Sequence, residues 1–155
     1  MANGYHGYYT LLDTFKNYFN NHPLVTKTTY GNITGIDISK QSLFPLVHFD
    51  VLQVTPANNV IQVNFVLFAM DLVDVVKEEV TDEFVGNDNT IDIQNKIFII
   101  LMEFDKAFQQ GLFWDLGYEL VGDMVLEPFT DRFENLLTGF TVNFSVLIPN
   151  DISAC

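Results

Sequence analysis

Residues Phe140 to Ile148 alternate in side-chain character, and that alternation constrains the whole chain. Phe140, Val142, Phe144, Val146 and Ile148 fall on one side; Thr141, Asn143 and Ser145 fall on the other, with Leu147 as the exception. A period of two is the mark of a β-strand, and five large apolar side chains on one face require a second layer to cover them. Pro149 ends the strand because it has no N–H to give to a ladder. The strand is expected to be the wall against which helices pack.

The rest of the chain supplies that second layer. Tyr8 to Asn20 reads as a first helix, with Tyr8, Leu11, Leu12, Phe15 and Phe19 on one side and Asp13, Lys16, Asn17 and Asn20 on the other; the Asn-Asn-His run and Pro23 close it. Val25 to Tyr30 and Ile33 to Ile38 are short β-prone pieces around Gly31 and Gly35, expected to form an irregular strand or hairpin. Phe44 to Val54 and Val60 to Met70 alternate as strands about the turn residues Thr55-Pro-Ala-Asn-Asn59, which predicts an antiparallel hairpin.

Thr90 to Gln110 is the long helix, capped by Asn89 or Thr90 and ended by Gly111. Ile93, Ile97, Ile100, Phe104 and Phe108 form one stripe on it, and Ile91, Phe98 and Met102 form a second patch almost opposite. A helix apolar on two sides is buried on two sides, so one side meets the sheet and the other meets helix one or another subunit. Leu112 to Leu116 reads as a short apolar link, Tyr118 to Leu126 as a strand, Pro128 to Asn135 as a loop and Leu136 to Ile148 as the final strand. The expected fold class is α+β: a mostly antiparallel sheet of four or five strands with two main helices packed on one face.

At 155 residues the chain is expected to be a single domain, 1–155, with 48% hydrophobic and 14% aromatic residues, enough for one dense core. Within it, 71–89 stands out as an acidic loop insertion: Asp71, Asp74, Glu78, Glu79, Asp82, Glu83 and Asp88 face Lys77 alone. It is too long for a routine connector, and its like charges keep it in solvent. The net charge of −13, from 20 acidic and 7 basic residues, argues against direct binding of DNA, RNA or an anionic membrane, since neutralising phosphates takes clustered Lys and Arg. The charge also keeps a Phe-rich chain in solution, and acidic walls would let DNA slide past without sticking.

The single cysteine, Cys155, provides no disulfide framework and no zinc cluster. No secretory signal opens the chain, and no apolar run reaches transmembrane length, so a reducing, cytoplasm-like compartment is expected.

Catalytic and metal motifs are sparse. His6, His22 and His48 lack metal-ligand spacing from one another and from Cys155. His48 shares a strand face with Asp50, which is expected to be solvated rather than catalytic. Asp88 to Asp92 begins like a calcium loop, but Ile93 stands where that loop needs Gly and Ile99 where it needs Glu, so helix capping explains these residues better. No enzyme activity, cofactor or metal is expected. Arg132, between Asp131 and Glu134, has two readings: a local ion pair bracing its loop, or a charged anchor to a neighbouring chain.

Four stretches carry a family resemblance: Ile36-Asp-Ile-Ser-Lys-Gln-Ser-Leu-Phe-Pro-Leu-Val-His48, Phe84-Val-Gly-Asn-Asp-Asn89, Leu126-Glu-Pro-Phe-Thr-Asp-Arg-Phe-Glu-Asn135 and Ile148-Pro-Asn-Asp151. Through them, and through its element order, the chain resembles the tail-completion and tail-terminator-like head–tail joining proteins of tailed bacteriophages. The resemblance implies a single tail-terminator-like domain that forms a homo-oligomeric ring, a hexamer or, in the neck, a dodecamer. Its partners would be tail-tube and head–tail connector proteins, with DNA passing through the bore without specific binding and no membrane involved. It would be assembled in the bacterial host cytoplasm and reside in the virion tail or neck.

The resemblance brings no catalytic residue. Candidate subunit-interface residues are Ile91, Phe98, Met102, Phe129, Asp131, Arg132 and Glu134. Candidate lumen- or partner-facing residues of the acidic loop are Asp74, Glu78, Glu79, Asp82 and Glu83. The alternatives are a portal-proximal connector or stopper ring, and a non-virion assembly chaperone or binding module.

Overall fold

The computed structural model describes residues 4–31, 44–73, 89–130 and 137–150. The β-prone piece Ile33 to Ile38, the body of the acidic run, and Asp131, Arg132 and Glu134 lie outside them. The elements run α1 (Gly4–Asn20), β1 (Lys27–Tyr30), β2 (Leu46–Pro56), β3 (Val60–Leu72), α2 (Thr90–Gln110), α3 (Leu112–Asp115), β4 (Glu119–Leu120), β5 (Val125–Thr130) and β6 (Leu137–Pro149).

One sheet holds the six described strands in the order β1-β2-β3-β6-β4, with β5 also paired to β6. The fold is α+β, and the sheet is mostly antiparallel. The β2–β3 hairpin forms as its turn residues predict, closed by the Ala57 N–H donating to the Val60 carbonyl at 2.9 Å. The C-terminal strand lies at the centre: β6 pairs with β3 from Pro149 opposite Val60 to Leu137 opposite Leu72. Its register aligns Val142, Phe144, Val146 and Ile148 with Leu67, Phe65, Val63 and Ile61, so two alternating strands present one continuous apolar face.

Both long helices cover that face. Leu11, Phe15 and Phe19 of α1 and Ile93, Ile97, Ile100, Leu101, Phe104 and Phe108 of α2 share one buried cluster with Val47, Phe49, Phe65, Val142 and Phe144. Phe15 sits at its middle, with ring centroids 5.2 Å from Phe65, 5.3 Å from Phe104 and 5.2 Å from Phe113. The opposite face is more polar: Ser145 Oγ donates to Asn64 Oδ1 at 2.7 Å and Gln62 Nε2 to the same oxygen at 3.2 Å. One end of that face is closed by a small apolar cluster of Phe44, Leu46, Met70 and Leu137.

Several sequence expectations need correction. The first helix starts at Gly4 rather than Tyr8, and Tyr8 is exposed, its hydroxyl 3.3 Å from that of Tyr30. The first β piece is an outer strand paired in parallel with β2, because its residues run alongside Leu46 to Phe49 in the same direction. The strand expected at Tyr118 to Leu126 is two strands. Leu120 faces Val146 and Val125 faces Asn143, so residues 121–124 oppose only Phe144 and Ser145, and the surplus bulges through Gly122 at φ +71°. The loop expected from Pro128 begins later, since β5 continues to Thr130. Pro128 fits there because β5 is paired to β6 on one side only among the described residues. These shifts give six strands among the described residues rather than four or five.

The apolar link after α2 contains the short helix α3, whose Phe113 is fully buried. α2 begins after Asn89 without a side-chain capping bond and stops at Gly111.

Candidate interaction surface

α2 positions the first part of the surface. Its core stripe faces the sheet and α1, which turns Ile91, Phe98 and Met102 to the far side, where they are 42%, 44% and 38% exposed. Of the two covers expected for this patch, helix one or another subunit, helix one is not the cover: α1 packs against the opposite flank of α2, through Phe15 and Phe19 on Phe104. Phe98 meets the half-buried Phe140 ring, with centroids 6.3 Å apart. Two side-chain ties hold the helix in this orientation: Lys96 Nζ to Asp71 Oδ2 at 2.8 Å, and Gln94 Nε2 to Thr138 Oγ1 at 3.0 Å. Each joins a helix flank to the end of a central strand, Asp71 on β3 or Thr138 on β6, so the outer stripe cannot roll inward without breaking one of them.

The other sequence candidates separate. Phe129 does not join the patch; it packs on the opposite sheet face against the Leu46–Met70–Leu137 cluster. Asp131, Arg132, Glu134, Asp74, Glu78, Glu79, Asp82 and Glu83 fall outside the described residues.

Sequence reasoning missed part of the exposed apolar surface. Ile99 is exposed beside Phe98, and Leu112, Trp114 and Leu116 project around α3 with Leu24 nearby at the end of α1. The signal was the density of large apolar residues in Leu112 to Leu116, which read as a link because it is too short to show a helical period.

Two of the histidines, His22 and His48, are tied into the fold by hydrogen bonds. His48 is buried at 1% exposure, which corrects the expected solvated face. The Gly31 carbonyl can only accept, so Nε2 carries the proton, and Nδ1 accepts from Thr29 Oγ1 at 2.7 Å. Burial lowers its pKa below the ordinary histidine value, against the opposing pull of the Gly31 carbonyl and the Asp50 charge. With both nitrogens engaged, His48 has no lone pair to offer a substrate; β1 lying over it is what the strand pattern of β2 alone did not show.

His22 is held similarly. The Leu24 N–H donates to Nδ1 at 3.1 Å, leaving Nε2 to donate to Glu103 Oε2 at 2.6 Å. Beside it, burial and then the Glu103 charge push the Tyr18 phenol up to about 12, so it stays neutral. The pair clips the end of α1 to α2.

Among the described residues, no group of three or more His, Cys, Asp or Glu side chains is placed to hold a metal ion. No helix among them is long and apolar enough to cross a membrane. No family model matches the chain, and no curated protein sequence matches it.

Proposed function

We propose that the chain is a structural virion protein that forms a homo-oligomeric ring at the tail or neck of a tailed phage. The ring terminates the tail tube and joins it to the head connector while leaving a channel for DNA. The observation that carries this reading is the outer stripe of α2: Ile91, Phe98, Ile99 and Met102 form an apolar strip that the described fold covers only in part. A ring made of head-to-tail contacts needs one such patch on each subunit, docked on a different surface of the next. The net charge of −13 suits a bore through which DNA moves without adhering.

Native mass spectrometry of the purified chain and cryo-EM of the particle test it together. Six copies per ring favour the terminator, and twelve favour the portal-proximal connector or stopper. A chain that stays monomeric at high concentration and is absent from virions removes the ring. Absence from virions with retained binding to other assembly proteins favours the chaperone or binding-module reading, which the same strip would also serve.

A further inference from the structure

α3 is fixed by a buried anchor. Phe113 is fully buried, with its ring 4.6 Å from Phe108 and 5.3 Å from Phe104. Successive helical residues turn by about 100°, so an inward Phe113 sends its neighbours outward. Trp114, the chain's one tryptophan, is 58% exposed, and Leu112 and Leu116 are exposed one turn apart. The backbone braces this ridge: the Leu116 N–H donates to the Leu112 carbonyl at 3.2 Å, the Gly117 N–H to the Trp114 carbonyl at 3.0 Å and the Tyr118 N–H to the Phe113 carbonyl at 2.9 Å.

Trp114 forms one wall of a cavity of about 540 Å³. The last turns of α2 supply Asp105 and Gln109, and Gln109 Nε2 donates to Asp105 Oδ2 at 3.3 Å. β4 supplies Glu119, and the surplus residues of the bulge after it supply Asp123 and Met124. Every wall comes from the continuous described stretch 89–130. Among the described residues, three carboxylates and no basic side chain line the cavity, and Glu119 and Asp123 are exposed. α2 ends beside it with no basic residue in its last turn, so the negative end of the helix dipole adds to the same field. Leu112 and Leu116 line the groove on the other side of α3.

We propose that this cavity takes an arginine side chain from the surface of a different, basic protein, with the α3 ridge as the apolar part of the same contact. The argument is charge complementarity joined to an aromatic wall. A guanidinium stacks on an indole face, pairs bidentately with carboxylates and is more weakly hydrated than an ammonium. Leu112 and Leu116 give the contact an apolar area that a free small cation leaves unused. A second copy is the poorer occupant, because the chain offers 7 basic residues against 20 acidic ones. The contact stands apart from the ring reading, since it needs no second copy.

The test uses the full chain and its own tryptophan. A Trp-free peptide of alternating Arg and Leu is titrated in while Trp114 fluorescence is followed. A saturable change is expected that weakens with added salt and is about tenfold weaker in E119Q/D123N, as the loss of two exposed charge pairs implies. Both carboxylates are exposed, so thermal unfolding of that variant is expected to match wild type. L112S/L116S is expected to weaken the peptide and leave spermidine unaffected. No saturable change, equal binding of a peptide with Gln in place of Arg, or equal binding by E119Q/D123N overturns the proposal. So does spermidine binding as tightly as the peptide, which would make the cavity a site for free polyamines. Loss of rings in E119Q/D123N by native mass spectrometry would make the surface a contact between copies and overturn the foreign partner. Failed peptide binding with wild-type rings intact refutes only this contact, while a chain that binds the peptide and never oligomerises refutes only the ring.

Discussion

Phe65 and Phe144 stack across the β3–β6 ladder with ring centroids 5.1 Å apart and 15° between their planes. They are directly opposed residues of the two longest strands, and both face the helices. The same pair meets Phe15 from α1, at 5.2 Å and 6.1 Å, and Phe144 also meets Phe104 from α2. One cross-strand pair thus joins three layers of the sequence: the hairpin, the final strand and both helices.

Truncating that pair should unfold the chain more readily than any surface change. Phe144→Ala is expected to destabilise by about 3–5 kcal/mol, the usual range for a buried aromatic ring replaced by a cavity. Urea denaturation followed by tryptophan fluorescence would measure it; a loss below about 1 kcal/mol would contradict the central role given to the ring.

Gly139 has no room for a side chain. A Cβ there would stand 1.9 Å from the Ala69 carbonyl oxygen and 2.8 Å from the Met70 Cα, both backbone atoms of β3. Gly139→Ala therefore forces β6 and β3 apart and is expected to destabilise by about 3 kcal/mol, at the upper end for overpacking. Thermal unfolding of that variant beside Gly7→Ala, where a Cβ meets nothing within 4 Å, checks the claim.

Acid should weaken the fold through His48. Its folded pKa lies below the unfolded value because burial disfavours the imidazolium. The unfolded chain therefore takes up a proton first as pH falls. The stabilisation is present in full above the unfolded pKa of about 6.5 and is lost progressively as pH drops toward the lower folded value. Stability measured from pH 7.5 to pH 5 should fall, and His48→Gln should remove that component of the slope.

The outer stripe of α2 predicts a change in assembly without a change in folding. Ile91→Asp and Met102→Asp alter exposed positions, so monomer stability is expected to stay within about 0.5 kcal/mol of wild type. The oligomer, measured by native mass spectrometry or light scattering, is expected to be lost. Unchanged oligomers in the double variant would exclude this stripe as the subunit contact. Arg132→Ala is likewise expected to weaken assembly more than folding, and equal assembly would contradict its role as an anchor.

Periodicity alone was enough to identify the β6 wall, the β2–β3 hairpin and the two faces of α2. Each is a repeat of several residues whose burial follows from local geometry: alternate residues of a strand, or every third and fourth of a helix, must share a side. Tertiary structure decided whatever depended on a neighbour distant in sequence. His48 looked solvent-facing because it alternates with apolar residues on its own strand, yet β1, about 20 residues earlier, buries it and engages both its nitrogens. The break at Gly122 depends on how many residues β6 offers opposite it, and the exposure of Phe98 and Met102 depends on which flank of α2 the first helix chose. A single chain's pattern states that a face is apolar; only the packing of the other elements states what is left to cover it.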